Sequence, residues 1–177
     1  MNASKIPKRH LNMSKDKTPI KHPEQIKWMH LIMSKLGEGN LYALVGGRGT
    51  GKTQIACEVL SEAEQKQMTA LYVKAFTIFL DIKSTYRVGE RTEMDVVSEM
   101  VLPKVLVIDE CHERSNSDFE DRILKHIIDC RYNAMKDTII ISNETAKQFC
   151  ASMGDSIISR MNETGGLIEC NWESFRG

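Results

Sequence analysis

Short, mainly aliphatic runs alternate with longer amphipathic segments along most of the chain. Five such runs predict buried strands, at residues 41–45, 71–75, 105–108, 138–142 and 167–170. The segments between them carry apolar residues at helical spacing, which predicts helices that connect the strands. Strands and helices that alternate in this way predict a parallel sheet with helices on both faces, an α/β three-layer sandwich.

The first part of the chain departs from this pattern. Residues 1–23 hold few apolar residues, three prolines and an excess of lysine and arginine, which predicts a basic flexible N-terminal tail. Such a tail either contacts nucleic acid or a partner, or only aids solubility. From Glu24 apolar residues recur at helical spacing, so an amphipathic helix over residues 24–37 is expected to lead into a domain that spans residues 24–177. Its apolar face packs on the core or fits a groove of a partner.

Composition narrows the class of protein. The chain has 177 residues, 41% of them hydrophobic, which suits one domain with a single core. No apolar run approaches the ~20 residues that span a bilayer, and no secretory signal pattern is present, so no membrane partner is expected. The five cysteines are far apart and odd in number, which argues against a disulfide framework and against zinc. They favour reduced thiols in the cytoplasm.

The segment after the first predicted strand fits a phosphate-binding pattern. GGRGTGKT, residues 46–53, matches G-x-x-x-x-G-K-[ST] between a strand and a helix. Its glycines let backbone N–H groups turn toward a β-phosphate, and the helix dipole adds positive potential there. Lys52 is expected to reach the β- and γ-phosphate oxygens, and the Thr53 hydroxyl to bind magnesium. The predicted nucleotide-binding residues are Gly46, Gly47, Arg48, Gly49, Thr50, Gly51, Lys52, Thr53 and Gln54.

An acidic pair ends the third predicted strand. Val105–Ile108 has the composition of a strand buried on both faces, and Asp109 and Glu110 follow it directly. Open α/β sheets bind ligands at the carboxyl ends of their strands. Asp109 is therefore predicted to hold magnesium and Glu110 to deprotonate an attacking water, which favours hydrolysis over transfer to a small molecule. The alternative for Glu110 is a helix N-terminal acid.

Two further polar residues complete the predicted catalytic set. Asn143 follows the fourth predicted strand, where its amide would hold water near the γ-phosphate; the alternative is an asparagine that begins a turn. Arg160 lies on a short predicted helix at residues 154–161. A guanidinium stays charged and fits phosphate oxygens in a fork, which suits stabilisation of a phosphoryl transition state. The alternative for Arg160 is a solvated surface residue.

The order GGRGTGKT, VLVIDE, IIISN and SRMNETGGLIECNWESFR resembles the AAA+ ATPases of the DnaC-type bacterial and phage helicase loaders. It is also similar to their relatives, the transposition helper ATPases, and the match runs from about Leu41 to Arg176. The resemblance implies a P-loop NTPase fold of the AAA+ type, with five parallel strands in the order 5-1-4-3-2 and no helical lid domain. It also implies that Arg160 enters the nucleotide site of a neighbouring subunit. The family carries a further arginine where this chain has Ser156.

The same resemblance implies a surface that contacts single-stranded DNA. In loaders and initiators the region of Lys83, Arg87 and Arg91 lines a central channel, and Ser117 and Phe119 lie in a second DNA-facing region. The alternatives are a solvated charged face for the three basic residues, and a core position at a helix start for Phe119.

Three functions fit these patterns. The first is a magnesium-dependent ATPase that acts as a homo-oligomer on a DNA replication complex, with the replicative helicase as partner, in the cytoplasm of a bacterium or a phage host. The second is a transposition helper ATPase, which shares every motif. The third is an adaptor that binds nucleotide without hydrolysing it. An intact Glu110 favours hydrolysis, because an adaptor has no need of a residue that activates water.

Overall fold

The computed structural model describes residues 4–15, 22–86, 91–113 and 118–175. Five strands form one sheet: β1 (Leu41–Val45), β2 (Ala70–Lys74), β3 (Val105–Asp109), β4 (Asp137–Ile141) and β5 (Gly166–Glu169). Every neighbouring pair is parallel, in the order β2-β3-β4-β1-β5. Viewed from the other edge, this is the expected order 5-1-4-3-2, so the predicted fold class is confirmed.

Eight helices lie within the described residues: α1 (Lys8–Lys15), α2 (Pro23–Ser34), α3 (Lys52–Gln65), α4 (Ala75–Thr85), α5 (Glu93–Val101), α6 (Asp118–Asn133), α7 (Ala146–Met153) and α8 (Asp155–Thr164). Alternate residues of each strand point to opposite faces of the sheet. One face packs on α2 and α3, and the other on α4 to α8. The described part of the chain contains no helix of the length and apolarity that a membrane span requires.

The leading helix is shorter than its pattern predicted. α2 ends at Ser34 rather than near residue 37, because Gly37 and Gly39 adopt positive φ angles of 96° and 81°. Asp137, at the start of β4, accepts hydrogen bonds from both of their backbone N–H groups. The turn that leads into β1 is therefore tied to the neighbouring strand.

Residues 4–11 do not form the flexible tail that was predicted for residues 1–23. The carbonyl of Ser4 accepts a 2.7 Å hydrogen bond from the N–H of Tyr72, on the edge strand β2. Ile6 is 3% exposed in the core beneath α2 and α3, and α1 packs on α3. An edge strand presents unpaired backbone groups, and here the N-terminal segment covers some of them.

A buried arginine joins several segments at the amino end of β4. Arg131 of α6 is fully buried, and its guanidinium donates to the carbonyls of Met100 (2.8 Å), Pro103 (2.9 Å) and Asp137 (2.6 Å) and to the hydroxyl of Thr138 (2.8 Å). Burial lowers the pKa of Arg131 to about 10, which leaves it charged at neutral pH. This side chain fixes α6 against β4 and the loop before β3.

Candidate nucleotide-binding site

The loop between β1 and α3 has the backbone that its glycines predict. Gly46, Gly49 and Gly51 have positive φ angles of 127°, 84° and 83°. A Cβ on Gly46 would lie 2.8 Å from the carbonyl oxygen of Cys170, too close for any side chain. α3 begins at Lys52, and its N-cap residue, Gly51, has no side chain to cap the first turn. The N–H groups of that turn are therefore suited to an anion.

A cavity of about 470 Å³ lies at this loop, at the carboxyl ends of the strands. Of the predicted residues, its lining contains Arg48, Gly49, Gly51, Lys52, Thr53, Gln54, Asp109, Glu110 and Asn143. Five further residues line it that sequence patterns did not indicate: Arg9, His10, Gln25, Glu113 and Phe175. Segments far apart in the chain thus meet around one polar space.

Lys52 lies folded against its own loop. Its side chain is almost fully buried, and Nζ donates to the carbonyls of Gly46 (2.8 Å) and Gly47 (2.7 Å). The ammonium therefore lies within the loop that is expected to surround a β-phosphate. Gly46 and Gly47 do not line the cavity themselves but hold Lys52 beside it.

Asp109 is the buried acid of the site, with 4% of its surface exposed. Its Oδ2 accepts hydrogen bonds from the hydroxyls of Thr53 (3.0 Å) and Tyr72 (2.6 Å). The two predicted magnesium ligands are therefore in direct contact. Burial, and secondly the Asp109 carboxylate, raise the pKa of Tyr72, so its hydroxyl remains a donor. Tyr72 lies inside an apolar strand, where no sequence signal marks it as part of a site.

Glu110 is held by a cation that sequence patterns did not connect with it. Its Oε2 lies 2.6 Å from Nζ of Lys74, the last residue of β2, which is in register with Asp109 on β3. The hydrogen bond to Glu110 is the main cause of the raised pKa of Lys74. Glu110 itself has φ 57°, in the left-handed region that is uncommon for residues with a side chain. The chain thus turns sharply where the acidic pair meets the cavity.

Asn143 contacts a histidine of that turn. The backbone N–H of Asn143 donates to Nδ1 of His112 at 3.3 Å, and its side-chain Nδ2 lies 3.2 Å from Nε2 of the same ring. The N–H of Cys111 donates to the carbonyl of Ile141 at 3.0 Å, which continues the pairing of β3 with β4. These contacts fix the position of Asn143 relative to Glu110.

Arg160 lies on α8 and does not line the cavity among the described residues. Its Nη1 is 2.8 Å from Oδ1 of Asp129 on α6, and its guanidinium lies 5.3 Å from the ring centroid of Tyr132. The same nitrogen donates to the hydroxyl of Ser156 one turn earlier. Arg160 is thus a partly exposed residue, 26% of its side chain, that contacts three side chains of its own chain.

Of the residues predicted to contact DNA, two are paired with acidic side chains and one packs against the core. Lys83 pairs with Glu120 at 3.2 Å, and Arg91 pairs with Glu99 at 2.6 Å. Phe119 is partly buried and packs against the core between the sheet and α4 to α8, as its core alternative predicted. Arg87 and Ser117 lie outside the described residues.

Comparison with known proteins identifies the family. The sequence pattern of the family described as "IstB-like ATP binding protein" matches residues 21–176, so the chain belongs to this family. The replicative helicase loader DnaC of Escherichia coli strain K12 is 25% identical over 142 residues, 78% of this chain and 58% of that protein. DnaC of Buchnera aphidicola subsp. Acyrthosiphon pisum is 25% identical over 173 residues, 94% of this chain and 70% of that protein. The predicted resemblance to DnaC-type AAA+ proteins is confirmed.

Solved structures agree on the fold. A crystal structure of the DnaC helicase loader superposes with a TM-score of 0.78 at 23% identity, over 92% of this chain and 99% of that one. The replication initiator DnaA bound to AMPPCP and single-stranded DNA has a TM-score of 0.73 at 18% identity, over 91% of this chain and 50% of that one. The chain spans little more than half the length of the Escherichia coli relative, at 58%.

Proposed function

We propose that the protein is a magnesium-dependent ATPase of the DnaC type that acts on a DNA replication complex. The observation that carries the proposal is the convergence of Lys52, Thr53, Asp109, Glu110 and Asn143 on one cavity. Phosphate-binding, metal-binding and water-activating groups all lie at the carboxyl ends of adjacent parallel strands. A site for nucleotide binding alone needs only the first two kinds.

The donor set fits magnesium. Oγ1 of Thr53 and Oδ2 of Asp109 lie 3.0 Å apart at the foot of the cavity. Magnesium prefers such hard oxygen ligands and typically keeps several waters beside one or two protein ligands and substrate phosphates. Thr53 and Asp109 would hold the ion, which when bound neutralises charge on the β- and γ-phosphate oxygens.

Each remaining residue has a step in the proposed reaction. Lys52 exchanges its contacts with Gly46 and Gly47 for the β- and γ-phosphate oxygens. Glu110 accepts a proton from the attacking water, and the Asn143 amide holds that water in line with the γ-phosphate. For Glu110 to reach the water, its carboxylate must leave the ammonium of Lys74.

Arg160 is proposed to act in trans, which makes a homo-oligomer the active form. The residue lies on α8 and is not among the described residues that line the cavity of its own chain. At an interface that places α8 against a neighbouring cavity, its guanidinium would neutralise charge that develops on the transferred phosphoryl group.

The proposed partners are a replicative helicase and single-stranded DNA, in the cytoplasm of a bacterium or phage host. Relatives named as helicase loaders support the first, and an initiator solved with single-stranded DNA supports the second. Lys83 and Arg91 would have to exchange Glu120 and Glu99 for phosphates. A transposition helper remains the second candidate, because the matching family is the IstB-like one.

One pair of variants tests hydrolysis. Lys52→Ala is expected to weaken ATP binding, while Glu110→Gln keeps binding and loses about 10²–10⁴-fold in turnover. ATP binding and phosphate release are measured with and without single-stranded DNA and the replicative helicase. Equal turnover in wild type and Glu110→Gln would instead support the non-hydrolysing adaptor. Stimulation by a transposase and not by the helicase would favour the transposition helper.

A further inference from the structure

A phenyl ring is the one apolar side chain among the described residues that line the nucleotide cavity. Phe175 is 40% exposed, whereas the rest of the lining is glycine or polar. Its backbone N–H donates to the carbonyl of Gly49 at 3.0 Å. A Cβ built on Gly51 would lie 3.6 Å from Cε2 of the Phe175 ring. The ring is therefore held beside the phosphate-binding loop while much of it faces solvent.

The segment that carries Phe175 is fixed at a second point. Trp172 donates from Nε1 to the carbonyl of Thr50 at 2.7 Å, and the Gln25 amide donates to the same carbonyl at 2.9 Å. The His22 ring stacks on Trp172 with centroids 5.5 Å apart. These contacts anchor the chain after β5 to the loop. A substitution of the Phe175 ring is therefore expected to leave this part of the backbone in place.

The order of the strands determines which end of a nucleotide would lie near Phe175. The phosphate-binding loop follows β1, which lies between β4 and β5. Asp109 and Asn143 end the strands on one side of the loop, and the γ-phosphate must lie near them. Phe175 follows β5, on the other side. A nucleotide whose phosphates occupy the loop therefore extends its base toward Phe175.

We infer that Phe175 forms the wall on which the nucleobase stacks, so that it distinguishes a nucleoside triphosphate from a bare polyphosphate. The inference rests on the proposed nucleotide site. A partly exposed aromatic ring at the edge of the cavity suits stacking, which every base accepts through its π-face. Stacking on the ring would also remove apolar surface from water.

Two probes separate the base from the phosphates. Calorimetric binding of ATP and of inorganic tripolyphosphate, each with magnesium, is measured for wild type, Phe175→Ala and Phe175→Trp. Phe175→Ala is expected to lose about 10-fold or more in ATP affinity, since base stacking on an aromatic ring is typically worth ~1–3 kcal/mol. Its tripolyphosphate affinity should stay unchanged, and Phe175→Trp should retain ATP affinity. Phe76→Ala is the matched control, because Phe76 is a similarly exposed phenylalanine, 52%, on α4.

The outcomes separate this inference from the proposed function. Unchanged ATP affinity in Phe175→Ala overturns the stacking role while the nucleotide site stands. An equal loss for ATP and tripolyphosphate also overturns it, because the ring would then only support the loop. If wild type binds neither probe, the proposed function fails together with the inference.

Discussion

Arg160 and Asp129 form an ion pair of 2.8 Å between α8 and α6, with the Arg160 guanidinium above the ring of Tyr132. The residue proposed to serve a neighbouring subunit is thus paired within its own chain. A phosphate of a neighbouring nucleotide has to compete with Asp129 for the guanidinium. A guanidinium that is already held in one position loses less conformational entropy when it binds a phosphate. The pair with Asp129 therefore also lowers the entropic cost of that binding.

Arg160→Ala should lose turnover only in the assembled protein. We expect a loss of about 10³-fold or more, as for other arginines that act in trans on a phosphoryl group, with unchanged ATP affinity of the monomer. Mixing Arg160→Ala with Lys52→Ala subunits should restore activity at interfaces that pair an intact Lys52 site with an intact Arg160. Full activity of the single Arg160→Ala variant would leave the residue only the structural role of joining α6 to α8. A drop in thermal stability without loss of turnover per folded subunit would point the same way.

Lys74→Ala should raise basal hydrolysis. Lys74 holds the Glu110 carboxylate at 2.6 Å, and this contact keeps the carboxylate from the water that it is proposed to deprotonate. Without the ammonium, Glu110 is expected to turn to the nucleotide without help from a partner, and hydrolysis in the absence of DNA and helicase should increase several-fold. Lys83→Ala is the matched control, because Lys83 pairs with Glu120 instead. A fall in turnover toward that of Glu110→Gln would mean that Lys74 positions Glu110 for catalysis.

His112→Ala should lower kcat and leave ATP affinity unchanged. His112 holds Asn143 by two contacts, at 3.3 and 3.2 Å, and it does not line the cavity. A small displacement of Asn143 is expected to misplace the attacking water and to cost about 10- to 100-fold in kcat. His112→Gln offers an amide at a similar reach and should recover part of the loss. Steady-state kinetics beside direct nucleotide binding separate the two parameters, and a loss of binding would contradict the positioning role.

The part of the candidate site that is expected to bind phosphate and magnesium could be predicted because its residues are contiguous in the sequence. Residues 46–53 and the pair Asp109–Glu110 each stand directly after an apolar strand, so one local pattern gives both fold and site. Lys74 contacts Glu110 through the register of β2 with β3, and Phe175 lines the cavity because the segment after β5, which pairs with β1, lies beside the loop. Pairing between distant segments leaves no periodic signal in the sequence, so their roles were not predicted.

The N-terminal segment shows what amino-acid composition alone does not predict. Its basic, apolar-poor stretch predicted a flexible tail, yet Ile6 is buried and His10 lies 2.9 Å from Oε1 of Gln54 beside the cavity. One buried isoleucine and one partly buried leucine, Leu11, are too few for a periodic pattern. The segment is held by buried Ile6, by α1 against α3 and by the hydrogen bond from the N–H of Tyr72, which are contacts between distant segments that composition does not reveal.

Arg131→Met should destabilise the fold at the end of the sheet remote from the nucleotide. The change leaves the buried carbonyl hydrogen bonds to Met100 and Asp137 and the partly buried one to Pro103 without their donor, and each unsatisfied buried acceptor costs about 1–3 kcal/mol. Partial relaxation and water entry reduce the sum, so a loss of ~3 kcal/mol in the free energy of unfolding is expected by urea denaturation. Arg131→Lys keeps the charge but not the planar fork of the guanidinium. Its free energy of unfolding should lie between those of wild type and Arg131→Met.

The matched control for Arg131 is Arg122, on the same helix. Within the part of the chain that the structure describes, Arg122 donates an exposed hydrogen bond to the carbonyl of Asp118, so Arg122→Met should change the free energy of unfolding by no more than about 0.5 kcal/mol. Both variants should bind ATP with wild-type affinity once folded, because neither arginine lines the cavity. A stable Arg131→Met variant would mean that Lys136, whose Nζ already donates to the carbonyls of Val101 and Leu102 at 2.6 and 2.9 Å, holds this loop without Arg131.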